Sequence, residues 1–334
     1  MRIPSGALLW VLLACLLGVG GAARAAPIEV RLAVGGKGLF YYLPLTVAES
    51  RGYFTEAGLA VEIADFPGGA KALQALVGGS ADVVAGSFEH VVNMRARGQA
   101  LRAFSLIARY PAIVLAVRAD FNAYQTPADL AGRVVGLTAP GSSTHLFLNK
   151  LLADAGVPSS TVSVLGVGAG ASAVAAMRRG EIDALVHLDP VIEELDAAGA
   201  IRVVIDTRTE AGAAQIYGGP YHAACLYTTD TYLQQNPDII RRLAEAQARA
   251  LRWMAEASNE DIMAAIPPEL WQRNRAAYAR ALAKNRAIWS TDGQLGQSGA
   301  RNVLETLARF EPFVADANVD VDALMVNPTA AEGD

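Results

Sequence analysis

One block of this sequence occurs twice, and the repeat limits the folds that the chain can adopt. Residues 66–84 and 167–185 match when the first block is shifted by 101 positions. The matched pairs include Gly69 with Gly170, Ala72 with Ala173, Leu76 with Met177, Gly79 with Gly180 and Asp82 with Asp183. Each block follows an apolar strand and reads as a glycine loop, a short helix and another strand. A repeated α/β unit predicts two similar lobes, and the cleft between two lobes can hold a small molecule.

The order of segments predicts an α/β protein in which each lobe is a mixed, mainly parallel sheet flanked by helices. Two extended hinge strands, near residues 117–123 and 223–228, join the lobes and allow hinge bending. The predicted domains are a signal peptide at 1–25, the first part of lobe 1 at 26–117, lobe 2 at 118–224, and a return to lobe 1 with C-terminal helices at 225–334.

The first residues have the pattern of a secretory signal peptide. Arg2 supplies a positive end, residues 7–19 form an apolar run too short to span a membrane comfortably, and residues 23–25 form a small-x-small cleavage site. We expect cleavage after residue 25 and export to the periplasm. Cys15 lies in a lipoprotein-like box, but the residues after it stay apolar, which disfavours lipid anchoring there.

Charge and cysteine content narrow the range of partners. The net charge is −5, and loss of the two arginines of the signal peptide makes it −7, which argues against nucleic acid and anionic membranes. Cleavage leaves Cys225 as the one cysteine, so we expect no internal disulfide. The histidines lack metal-ligand spacing, and HExxH, CxxC, GxSxG and Walker A patterns are missing, so we expect no metal, no cofactor and no hydrolase chemistry.

Four motifs in a fixed order resemble one group of proteins. They are Pro44 with Ala48-Glu49, Gly52-Tyr53-Phe54 and Gly58-Leu59; the glycine block that ends at Asp82; Gly141-Ser142-Ser143-Thr144; and Asn236-Pro237. Together they are similar to the periplasmic substrate-binding proteins of ABC importers for nitrate, aliphatic sulfonates, taurine and thiamine precursors. The resemblance implies the type 2 periplasmic-binding fold, a monomer that closes on one solute, and delivery to a membrane permease with an ATPase subunit.

Candidate ligand-binding residues follow the predicted strands, because ligands of open α/β sheets lie beyond the carboxyl ends of the strands. Apart from residues 142–144, the candidates are Lys37, Tyr41, Tyr42, Gly68, Gly69, Ser87, Phe88, Arg109, Gly168, Asp189, Tyr221 and His222. Phe40, Tyr41 and Tyr42 are adjacent, so we expect at least one of these rings to face the cleft. Glu89 and Asp189 would suit a ligand with an amine, although either acid could instead cap a helix, the reading that we favour for Glu89.

The hydroxyl loop, residues 142–144, is the strongest local feature. Ser142, Ser143 and Thr144 stand at a predicted helix start, where hydroxyl and backbone N–H groups can hold an anion. In the group that the chain resembles, this loop contacts the anionic end of the solute. With Arg109, it predicts a small organic anion of the sulfonate, nitrate or carboxylate type.

Other functions stay open at this point. The aromatic residues would suit an aromatic or pyrimidine-like thiamine precursor. A pyrimidine-synthesis enzyme on the same fold is a weaker alternative, because such enzymes are intracellular and carry a cysteine-rich stretch. A periplasmic sensor subunit, which presents its ligand to a receptor, has the same expected sequence pattern as a transport protein.

Overall fold

Ten strands form two separate five-stranded sheets. In the computed structural model, which describes residues 26–271 and 273–329, the strands are β1 (Ile28–Val34), β2 (Leu59–Asp65), β3 (Val83–Ser87), β4 (Leu101–Leu106), β5 (Val114–Arg118), β6 (Val134–Leu137), β7 (Ser163–Gly166), β8 (Ala184–His187), β9 (Ile201–Asp206) and β10 (Ala224–Thr229). The first sheet has the order β2-β1-β3-β10-β4, and the second has the order β7-β6-β8-β5-β9. The predicted two-lobed α/β fold is confirmed.

The helices flank both sheets, and most of those after β10 pack on the first lobe. They are α1 (Leu43–Ser50), α2 (Tyr53–Glu56), α3 (Gly69–Val77), α4 (Phe88–Ala96), α5 (Ser143–Asp154), α6 (Ala171–Arg178), α7 (Val191–Ala197), α8 (Glu210–Tyr217), α9 (Asp230–Gln235), α10 (Pro237–Glu256), α11 (Asn259–Ala265), α12 (Arg275–Asn285), α13 (Gln297–Ala308) and α14 (Pro312–Asp316). α10 packs on α1 and α13 packs on α4, whereas α12 also packs on α7 of the second lobe.

The two sheets share one plan, which explains the sequence repeat. Four strands of each sheet run in one direction, and one antiparallel strand, β10 or β5, lies between the fourth of these strands, β4 or β9, and the other three. Asp82 and Asp183, which end the repeated blocks, have the same role. The Asp82 carboxylate accepts the N–H of Arg31 in β1, and the Asp183 carboxylate accepts the N–H of Val134 in β6. Each aspartate therefore holds the first strand of its lobe.

The position of β5 corrects one predicted boundary. We expected residues 113–117 to end lobe 1, but β5 pairs with β8 and β9 in the second sheet. The chain therefore crosses between the lobes at residues 107–113, before β5, and crosses back at residues 207–223, before β10. Apolar alternation gives a strand but does not say which sheet it joins, so the sequence could not fix this point. The predicted signal peptide lies outside the described residues, within which no helix is long and apolar enough to cross a membrane.

Candidate functional site

The two lobes touch directly along the loops that follow β2 and β6. The Ala70 N–H donates to the Ser142 Oγ across the cleft, at 3.0 Å. A Cβ atom on Gly68 would lie 2.8 Å from the Cβ of Ala139, closer than such atoms can approach. The absence of a side chain at Gly68 therefore allows this closed arrangement, and a larger residue there would hold the lobes apart.

The hydroxyl loop bonds mainly to the protein itself. The Ser142 Oγ accepts the N–H of Ala70, and the Thr144 Oγ1 accepts the N–H of Thr138 and shares a hydrogen bond with its hydroxyl, at 2.8 Å. In the part of the chain that the structure describes, Ser143 is the member of the loop whose hydroxyl bonds to neither lobe. The expected cradle of three free hydroxyls is thus reduced to one, because closure and the turn after β6 use the other two.

The glycines at the two helix starts border buried histidines. A Cβ on Gly69 would lie 3.0 Å from Cε1 of His90. Gly168, at φ +75°, has its carbonyl oxygen 2.9 Å from Nε2 of His187. Burial lowers the pKa of His90 to about 4 and also lowers the pKa of His187. Both imidazoles are therefore neutral near pH 7, and neither supplies a cation to the cleft.

Asp189 is buried in a network of protein groups. Its carboxylate accepts the N–H of Glu193, a guanidinium N–H of Arg208 at 3.0 Å and the amide of Asn285 at 2.7 Å. Its carbonyl oxygen accepts the N–H of Phe40. Both carboxylate oxygens of Asp189 therefore accept hydrogen bonds from protein groups, and Asp189 does not belong to the proposed site.

Two of the predicted ligand-binding residues, Lys37 and Arg109, have positively charged side chains. The Lys37 ammonium lies 2.5 Å from a carboxylate oxygen of Glu49. Arg109 is exposed; its Nε donates to the carbonyl of Ala287, and its guanidinium carbon lies 5.1 Å from the ring centroid of Tyr110. Lys37 is thus paired with an acid, whereas Arg109 bonds to a backbone carbonyl and has no acidic partner in the described structure.

The hinge brings three predicted residues together beside a cavity of about 240 Å³. Arg109, Tyr221 and His222 line it, with Glu210 and Pro220 among the other residues. The His222 Nε2 lies 2.7 Å from the Gly296 carbonyl oxygen, and its ring meets the buried Phe88 ring edge-on. His222 and Phe88 are therefore packed into the hinge, and Tyr221 connects this cavity with the interior of the cleft.

The three adjacent aromatic residues are all buried in the closed structure. Phe40 packs edge-on against Tyr278 of α12, with ring centroids 4.6 Å apart. Tyr41 and Tyr42 meet at 5.0 Å in the same manner. Burial, then Tyr42 and Glu89, raise the pKa of Tyr41, which places its phenol near Glu89. The C-terminal helix α12, which the sequence did not position, therefore covers Phe40, and the structure places the Tyr41 ring beside Glu89.

Glu89 is buried, with 4% of its surface exposed, and its chain neighbour His90 contacts the second lobe at the carbonyl oxygen of Gly141. The Glu89 Oε1 accepts the hydroxyl of Tyr221 at 2.7 Å, and its Oε2 accepts the hydroxyl of Ser87 at 2.9 Å. Ser87, rather than Glu89, caps α4, because the Ser87 Oγ also accepts the Glu89 N–H. Burial raises the pKa of Glu89 to about 7, against the hydrogen bonds from Tyr221 and Ser87. The reading of Glu89 as a helix cap is wrong.

Tyr217 is a neighbour that the sequence did not reveal. Its ring stacks on Tyr221 at a centroid distance of 3.9 Å. Burial, and then the charge of Glu89, raise the pKa of its phenol. Among the described residues, its buried hydroxyl has no hydrogen-bond partner. We call Tyr41, Ser87, Glu89, Tyr217 and Tyr221 the Glu89 cluster.

Comparisons with known proteins identify the family and the fold. The family described as NMT1/THI5 like matches residues 40–260. The chain belongs to this family. A solved structure from Bordetella bronchiseptica RB50 is 45% identical to this NMT1/THI5-like protein, with a TM-score of 0.88, and the match covers 91% of this chain and 95% of the other.

Two more distant structures share the fold. The alkanesulfonate-binding protein SsuA of Xanthomonas axonopodis pv. citri, bound to MOPS, is 19% identical with a TM-score of 0.71, over 91% of this chain and 99% of that one. The periplasmic nitrate-binding protein NrtA of Synechocystis PCC 6803 is 14% identical with a TM-score of 0.68, over 90% and 86%. The NMT1/THI5-like chain therefore has the fold of periplasmic binding proteins, as its motifs predicted.

Proposed function

We propose that this protein is the solute-binding component of an ABC importer. It captures a small solute between its lobes in the periplasm and delivers it to a membrane permease driven by an ATPase subunit. The observation that carries the proposal is the direct contact of the lobes around the buried Glu89 cluster. The names of its fold relatives, which are binding proteins for solutes, support it.

Binding without catalysis fits the chemistry of the described residues. Cys225 lies inside β10 with no exposed surface, and burial raises the pKa of its thiol. A thiol in this setting is a poor nucleophile, because the thiolate is the reactive form. We therefore propose a binding protein rather than a pyrimidine-synthesis enzyme.

The proposal extends to the form of the protein in the cell. Cleavage after residue 25, on the pattern of residues 7–25, would release a monomer into the periplasm without a lipid on Cys15. A monomer suffices because the lobes of one chain supply both walls of the cleft. Transport and sensing would use the same capture step, and kinship with importer components favours transport.

Two classes of solute are candidates. Kinship with sulfonate and nitrate binders, together with the hydroxyl loop, supports a small organic anion. The buried tyrosines of the Glu89 cluster support an aromatic or pyrimidine-like solute, because flat rings pack well between aromatic walls. The second class has more support from the residues around the cleft, since Lys37 is paired with Glu49 and the Glu89 cluster contains an acid and no cation.

The capture step can be tested on protein taken from a periplasmic extract. Native mass spectrometry should show the mature chain with one small molecule bound, and unfolding should release it. The same extract should yield a chain that begins at Ala26. A chain that carries no small molecule, and that none of the fractionated small molecules of the cell stabilises, would contradict the proposed function.

A further inference from the structure

The carboxyl group of Glu89 is buried without a cation. Both of its oxygens accept hydrogen bonds from neutral hydroxyls, those of Tyr221 and Ser87. Among residues 26–271 and 273–329, no lysine, arginine or histidine nitrogen lies within 4.0 Å of it. Buried carboxyl groups are normally paired with a positive charge, because an isolated charge is poorly solvated inside a protein. Glu89 departs from this rule at the point where the two lobes meet.

The two buried cationic residues of the described structure, Lys150 and Arg208, are already paired. The Lys150 ammonium lies over the Tyr217 ring, 5.6 Å from its centroid, and forms an ion pair with Asp154 at 2.5 Å. The buried Arg208 pairs with Asp189 and with Asp206. Arg109, which lines the hinge cavity beside Tyr221, forms no ion pair in the described structure, but it is exposed rather than buried with Glu89. Inside the buried cluster, a cation would therefore meet a carboxyl group that lacks a positive partner, whereas an anion would meet no positive group.

A second polar group in the cluster lacks a partner. The Tyr217 hydroxyl is buried and makes no hydrogen bond among the described residues. Leaving such a group unsatisfied costs stability, which a ligand that pairs with it would restore. Tyr217 stacks on Tyr221, whose own hydroxyl bonds to Glu89. An acid without a cation and a phenol without a hydrogen bond thus belong to one cluster, formed by the first lobe and the hinge.

We infer that Glu89 determines specificity, and that it receives the N–H groups of a cationic nitrogen, an ammonium or an amidinium, on a small solute packed against the tyrosines. The inference rests on the proposed function and names its solute class. Hydrogen bonds between an ionised acid and a cation are stronger than neutral ones. The N-terminus of α4, on which Glu89 stands, also favours the negative charge. Sulfonate and nitrate, by contrast, would meet this acid with like charge.

The test compares solutes that differ in charge and share a ring. Benzylamine and benzamidine form the nitrogen series, and benzoate and benzenesulfonate form the anion series. Thermal unfolding of the full mature protein is followed with each compound over a range of concentrations. We expect the nitrogen series to raise the melting temperature and the anion series to leave it unchanged.

Variants identify the residue that reads the charge. Glu89→Gln removes the charge and keeps one acceptor oxygen, while its amide N–H can donate to the second hydroxyl once that hydroxyl turns; it should lower affinity for the nitrogen series roughly tenfold to hundredfold. Glu305→Gln makes the same change at an exposed position of α13 and should bind like the wild type. Tyr217→Phe removes the unpaired hydroxyl, so it should fold normally and bind the nitrogen series more weakly. Tyr217→Phe keeps the test valid if Glu89→Gln does not fold.

The outcomes separate the inference from the function beneath it. Stabilisation by the anion series alone, or equal binding of benzamidine to wild type, Glu89→Gln and Tyr217→Phe, would overturn the inference and leave solute capture intact. Stabilisation by neither series would overturn the inference, whereas the proposed capture of a small solute is decided separately by native mass spectrometry of the periplasmic protein. Stabilisation by the nitrogen series, lost in Glu89→Gln and kept in Glu305→Gln, would support the inference.

Discussion

Single residues determine what this cleft can hold, and Glu89 is the clearest example. The sequence places Glu89 after β3 but gives no sign that its carboxyl is buried or that Tyr221, 132 positions away, bonds to it. Tyr217 and Arg208 escaped prediction for the same reason, because partners so distant in the chain leave no local pattern. The glycines and hydroxyls, by contrast, were visible because helix starts have a local signature.

The raised pKa of Glu89 predicts how stability depends on pH. Because its folded-state pKa of about 7 exceeds the ordinary value of 4.5, the folded protein holds the proton more tightly than the unfolded chain. As the pH rises from about 4.5 to about 7, the unfolding free energy of the unliganded wild type should therefore decrease. The decrease should exceed that of Glu89→Gln by up to roughly 3 kcal/mol. The neutral His90 and His222, with pKa values lowered to about 4, act in the opposite direction equally in both proteins.

Urea unfolding of both proteins at about pH 5 and about pH 8 measures this difference. Equal pH dependence in the wild type and in Glu89→Gln would show that the carboxyl is not held in its protonated form. The tyrosine phenols of the cluster do not interfere, because burial raises their pKa values and keeps them protonated throughout this range.

At the scale of elements, α12 ties the second lobe to the first. Glu193 of α7 is buried, and it accepts hydrogen bonds from Arg280 at 2.7 Å and Lys284 at 2.6 Å, both on α12. Burial raises the pKa of Glu193, but the bonds from Lys284 and Arg280 outweigh it and lower the pKa on balance. This pair crosses the cleft away from the Glu89 cluster, so it can favour closure without touching a solute.

Glu193→Gln should loosen this tie. We expect a loss of about 2 kcal/mol in stability, between the values for exposed and fully buried pairs, because both cations are partly exposed. Solute affinity should fall as well, since the closed state loses a contact that the open state lacks. Melting temperature and affinity measure the two effects. Glu181→Gln, which breaks an exposed pair with Arg179 within the second lobe, is the control and should change neither. Loss of stability with unchanged affinity would show that the pair does not act on closure.

The elements themselves were largely predictable, and their assignment to sheets was not. Apolar periodicity predicts strand β1 and helices α5 and α10, and glycine and proline residues mark where these elements begin or end. β5 was assigned to the wrong lobe because its pairing depends on β8 and β9, which follow it in the chain. α12 was recognised as helical, but its contact with α7 depends on tertiary packing that no local pattern encodes.

In the molecule as a whole, the proposed capture of a solute depends on closure of the two lobes about a hinge. The chain crosses between the sheets twice, at residues 107–113 and 207–223, so hinge bending can separate the lobes with little loss of core. Gly68 is the point where closure leaves no room, because its Cβ would lie 2.8 Å from Ala139. Gly68 has φ −177°, an extended conformation open to any residue, so Gly68→Val tests the contact without backbone strain.

Small-angle X-ray scattering tests closure most directly. The radius of gyration of the mature protein is measured after unfolding and refolding have removed bound small molecules, and again after the released fraction is added back to saturation. We predict that the solute decreases the radius of gyration of the wild type and does not decrease that of Gly68→Val. An unchanged wild-type profile at saturation, or a Gly68→Val protein that closes as fully as the wild type, would contradict this prediction.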